Sequence, residues 1–82
     1  MGIKDIKAAF EEALGGAYSC SLATMANVPA HGIEFQVLFF RGMDASGAPY
    51  EIKSDPIRPG GDLQQGARDT AQRLLAERKP PS

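Results

Sequence analysis

A chain of 82 residues, 43% hydrophobic and 23% charged, is expected to form one small globular domain rather than a disordered segment. Nine basic residues against ten acidic ones leave a net charge of −1, which excludes a strongly basic nucleic-acid arm and an acidic tail. The charge is uneven: residues 1–52 hold three basic and six acidic side chains, and residues 53–82 hold six basic and four acidic ones.

Residues 3–14 carry Ile3, Ile6, Phe10, Ala13 and Leu14 at helical spacing, with Lys4, Lys7, Glu11 and Glu12 on the other side. This pattern predicts an amphipathic helix. Gly15-Gly16 ends it, because glycine takes the left-handed C-terminal conformation without strain.

Residues 17–25 read as a first strand, with Tyr18, Cys20 and Leu22 inward and Ser19, Ser21 and Ala23 outward. Cys20 is the only cysteine, so no internal disulfide forms and an intracellular, cytoplasmic setting is expected. As a small inward residue it reads as core, not as a reactive thiol. No signal peptide and no apolar run of about 18 residues is visible, so no membrane contact is expected. Asn27-Val28-Pro29-Ala30-His31-Gly32 reads as a loop.

The central strand, about 33–41, alternates most clearly. Ile33, Phe35, Val37 and Phe39 are expected on the buried face, with Glu34 and Gln36 facing out. Leu38 and Phe40 then fall on the outward face and become candidate interface residues. Asp44-Ala45-Ser46-Gly47 is a turn. Residues 49–54 form a third strand, with Tyr50 and Ile52 inward and Glu51 and Lys53 outward.

Asp55-Pro56-Ile57-Arg58-Pro59-Gly60-Gly61 breaks regular structure. A second helix starts at the N-cap Asp62, with Gln65 three residues on and a stripe of Leu63, Ala67, Ala71, Leu74 and Leu75. Lys79-Pro80-Pro81-Ser82 reads as a short frayed tail, so the ordered core is expected over about 3–78 of the single domain 1–82. The predicted fold class is α+β. The order is helix, three strands, helix, with an antiparallel three-stranded sheet, both helices on one face and the other face open.

That order resembles the double-stranded RNA-binding domain. In that family the first inter-strand loop often reads Gly-Pro-x-His, then three residues, then Phe-x-Val. Here Val28-Pro29-Ala30-His31 is followed by Gly32-Ile33-Glu34 and Phe35-Gln36-Val37. The family's Lys-Lys-x-Ala-Lys of the second helix corresponds to Gln64-Gln65-Gly66-Ala67-Arg68. Two of its three phosphate-binding lysines are therefore glutamines. The resemblance implies contact with double-stranded RNA through helix one, the Pro29–His31 loop and the start of helix two. It nominates Lys4, Lys7, His31, Arg58, Gln64, Gln65 and Arg68. With so few cations such binding would be weak and salt-sensitive.

No catalytic constellation, phosphate loop or metal-ligand spacing is present, so neither enzyme activity, cofactor nor metal is expected. Glu11-Glu12 reads as helix surface. The sequence therefore points to a small non-enzymatic binding module. It acts through protein–protein contacts on the open sheet face, with a second copy or another protein as partner. Weak double-stranded RNA binding is the alternative.

Overall fold

The computed structural model describes residues 2–78; the predicted tail at 79–82 lies outside the described residues. The order is α1 (Ile3–Leu14), β1 (Ser19–Ala30), β2 (Ile33–Met43), β3 (Pro49–Lys53) and α2 (Leu63–Glu77). The α+β class, the element order and the sequential antiparallel sheet β1-β2-β3 are as the sequence predicts.

Each helix carries one of the expected end signals, a stop for α1 and a start for α2. Gly15 takes φ 66°, and its N–H donates to the Glu12 carbonyl. Asp62 caps α2 by accepting from the Gln65 backbone N–H at 3.0 Å. The buried stripes are Ile6, Ala9, Phe10 and Leu14 on α1, and Ala67, Thr70, Ala71 and Leu74 on α2. Thr70 satisfies its hydroxyl by donating to the Gly66 carbonyl at 2.7 Å.

The first correction concerns the loop at 27–32. Most of it is strand: β1 runs to Ala30, and only His31 and Gly32 make the turn. Both have positive φ, 52° and 75°, as a two-residue hairpin turn of the primed type requires. Pro29 is tolerated because β1 is an edge strand. The long hairpin stretches the molecule to 45 × 23 × 17 Å. Its radius of gyration of 12.9 Å therefore exceeds the roughly 12 Å of a compact chain this long.

The second correction concerns which face of β2 the helices cover. Leu38 and Phe40, expected outward, are each 0% exposed and pack in the core with Ile6, Phe10 and Leu74. Ile33, Phe35 and Phe39 are only half-buried, on the opposite face, with Val37 buried beside them. The register supplies the reason. Phe40 pairs with Ile52 and Gly42 with Tyr50, so the even positions of β2 share a face with the apolar side chains of β3. Phe39 pairs with Lys53 and Arg41 with Glu51, and a helix on that face would bury charge.

A third correction follows from a register shift between Cys20 and Leu22. The extra residue switches the face that later residues present. Cys20 stays buried, but Leu22 turns outward and Ala23 turns toward the helices, opposite Phe40.

Beyond β3 the chain continues to line β2. Ser54 exchanges bonds with Leu38: its N–H donates to the Leu38 carbonyl at 2.8 Å, and its hydroxyl accepts from the Leu38 N–H at 2.9 Å. Ile57 and Gln36 donate to each other's carbonyls, both at 2.8 Å. The flank of β2 away from β1 is thus closed from Gln36 to Met43.

Candidate functional site

The sheet face away from the helices is built by β1 and β2. Cross-strand pairs place Leu22, Thr24, Ala26, Val28 and Ala30 against Arg41, Phe39, Val37, Phe35 and Ile33. From Leu22 and Phe39 to the hairpin tip this face has no charged side chain. Its charges gather at the other end, where Arg41 pairs with Glu51 at 3.3 Å and Lys53 stands opposite Phe39. Leu22 is 46% exposed and Val28 40%. Apart from exposed Thr24 the face is apolar there, with Ile33, Phe35 and Phe39 half-buried and Val37 buried, and it lies opposite the side on which the helices pack. Contiguous exposed apolar surface of this sort marks contact sites. Near its charged end it dips into a hollow of about 560 Å³ between Leu22, Met43 and Pro49.

The expected interface pair, Leu38 and Phe40, is not part of this surface. The residues that replace them, Ile33, Phe35, Val37 and Phe39, form the cleanest alternation in the sequence and lie on the side away from the helices.

The residues nominated for RNA contact are spread along the molecule. Lys4 and Lys7 lie on α1, Arg58 in the segment before α2, and Gln64, Gln65 and Arg68 in the first turns of α2. His31 stands exposed at the hairpin tip. The 12 residues of β1 rise about 3.3 Å each, so the tip is nearly 40 Å along the strand from Ser19. Lys7 belongs to the other end, where it is close enough to Cys20 to influence its thiol. Gln65 is engaged within its own helix, its side chain donating to Asp69 at 2.9 Å.

The surroundings of the α2 N-terminus are acidic. A groove of about 360 Å³ there is lined by Asp55, Asp62, Asp69 and Arg73, among others. Arg73 is already committed to Asp55 at 3.2 Å and to the Lys53 carbonyl. Arg78, near the C-terminal end, binds Asp44 at 2.7 Å and the Pro49 carbonyl at 3.2 Å. Two cations of the basic half are thus already paired within the chain.

Burial pushes the Cys20 thiol up, with a further push from the Glu11 carboxylate that Lys7 partly offsets. A raised thiol is a poor nucleophile. Burial likewise raises the Tyr50 hydroxyl, which donates to the Ser19 carbonyl at 2.6 Å. Asp44 goes the other way, held down to about 2 first by the Ser46 hydroxyl and then by Arg78 and two backbone N–H groups.

Among the described residues no three His, Cys, Asp or Glu side chains gather closely enough to hold a metal ion. No described helix is long and apolar enough to cross a membrane. No protein-family profile matches the chain, and no curated protein or solved structure matches it.

Proposed function

We propose that this chain is a small non-enzymatic binding module whose contact surface is the open sheet face, and whose ligand is another protein surface. One observation carries the reading: Ile33, Phe35, Val37 and Phe39 line the sheet face away from the helices, and that face bears no charge toward the hairpin tip. A flat apolar sheet face fits a second packed layer about 10 Å away, with side chains interleaved. The test is capture from the host with the wild type and with Ile33→Asp, which sits near the tip and away from the helix-covered core. Loss of a specific protein partner with Ile33→Asp, at unchanged circular dichroism, supports the reading. Equal capture by both proteins removes it.

Weak contact with double-stranded RNA is the second reading, and the projecting hairpin with His31 at its tip favours it. In the resemblance drawn from the sequence, that loop reaches a minor groove. The acidic surroundings of α2 count against it. Gln64→Lys with Gln65→Lys should tighten binding and steepen its salt dependence, since each phosphate contact releases about 0.9 of a counterion. No binding by either protein at low salt in a fluorescence titration ends this reading.

A further inference from the structure

The two outer edges of the sheet are protected very differently. On one side stands β3, five residues long, with Pro49, Glu51 and Lys53. A short edge with proline and charges resists pairing with another strand. On the other side stands β1, 12 residues long, reading Ser-Cys-Ser-Leu-Ala-Thr-Met-Ala-Asn-Val-Pro-Ala. It has no charged residue at all. Among the described residues, no backbone–backbone hydrogen bond outside the ladder reaches residues 19–30. An edge strand of this kind presents a row of unpaired N–H and C=O groups.

The exposed side chains of β1 add an independent observation. Of the five large apolar residues exposed among the described residues, Leu22, Met25 and Val28 lie on this strand. Leu22 and Val28 belong to the open face, whereas Met25 pairs with buried Leu38 and belongs to the helix face. A partner lying flat on the open face would leave Met25 in water. A strand added at the edge would flank all three.

We propose that the β1 edge pairs antiparallel with the β1 edge of a second copy of this chain, joining two sheets into one. The occupant is a second copy because the strand is charge-neutral throughout. Self-pairing brings no like charges together, and nothing on the strand selects a partner of opposite sign. Antiparallel pairing of a strand with itself is the closed two-fold arrangement, which stops at the dimer. The pairing window has physical stops: the irregularity at Ser21 on one side and Pro29, without an N–H, on the other. It therefore runs over Leu22–Val28. The two open faces then form a single surface, but the edge contact stands whether or not that face binds a protein.

The test is sedimentation equilibrium on the wild type, Met25→Lys and Ile33→Asp, with amide hydrogen exchange on the wild type at two concentrations. The wild type should exceed its monomer mass of 8.7 kDa at high micromolar concentration. Met25→Lys should raise the dissociation constant about tenfold or more by placing like charges at the joined edges, with unchanged circular dichroism. Ile33→Asp should leave it unchanged. Amides within residues 22–28 should gain protection as concentration rises. A wild type that stays at 8.7 kDa overturns the proposal. So does an oligomer whose β1 amides exchange equally fast at both concentrations. An oligomer dissolved by Ile33→Asp but indifferent to Met25→Lys overturns the edge and leaves the face reading standing. Should Met25→Lys lose its fold, the exchange measurement alone decides.

Discussion

The rings of Phe10 and Phe40 lie parallel with centroids 3.8 Å apart, pinning α1 onto the middle of β2. Both residues are 0% exposed. Opposite Phe40 on β1 stands Ala23, whose small side chain leaves room for the ring from the helix. Tyr50 completes the group, 6.4 Å from Phe10.

Phe40→Ala should therefore cost about 3–5 kcal/mol, the usual range for emptying an aromatic core site. A domain this small has little more stability than that, so the variant should be largely unfolded. Phe35→Ala removes a half-buried ring on the open face and should cost only about 1–2 kcal/mol. Urea midpoints of the two variants check the assignment of faces. A larger loss for Phe35→Ala would mean the helices cover the other side.

Gly42 faces Cys20 and Tyr50 across the sheet. A Cβ there would collide with the Ser19 carbonyl and come within 2.8 Å of the Tyr50 hydroxyl oxygen. It would enter the hydrogen bond those two groups make. Gly42→Ala should destabilise by about 1–3 kcal/mol, the range for overpacking a filled site. Thermal melts read this directly, and an unchanged midpoint would show that the two strands separate there at no cost.

Asp44 organises the β2–β3 turn. Its carboxylate accepts from the Ser46 hydroxyl at 2.6 Å, from the Ser46 and Ala48 N–H groups at 2.9 and 3.0 Å, and from Arg78 at 2.7 Å. Its folded pKa of about 2 lies below the ordinary 3.8, so between those values the unfolded chain binds more protons. Stability from this group is present above about pH 4 and is lost as pH falls toward 2. Asp44→Asn should lower stability at pH 7 and flatten that part of the acid limb. Melts of both proteins from pH 5 to about 2 compare the slopes.

His31 holds a left-handed conformation, φ 52°, in a turn where asparagine is the more comfortable residue. His31→Asn should raise stability by a few tenths of a kcal/mol to about 1 kcal/mol. A fall in the melting temperature would mean that the imidazole makes a contact worth more than the strain.

Local pattern was enough for the elements. The stripe from Ile6 to Leu14 and the glycines after it define α1, and Asp62 with Gln65 defines the start of α2. These features act over three or four residues, so a sequence displays them. The face of β2 is different. Ile33, Phe35, Val37 and Phe39 form one apolar set and Leu38 with Phe40 another, and alternation alone does not say which set the helices meet. Only the register, Phe40 against Ile52 and Phe39 against Lys53, decided it, because a one-residue change of register exchanges the faces of a strand. Tyr50 and Ile52 were already legible as inward, so that pairing was the available signal. The irregularity at Ser21 and the two-residue turn at His31-Gly32 were likewise tertiary matters. Both arise from how two strands fit each other, and neither strand carries that fit in its own residues.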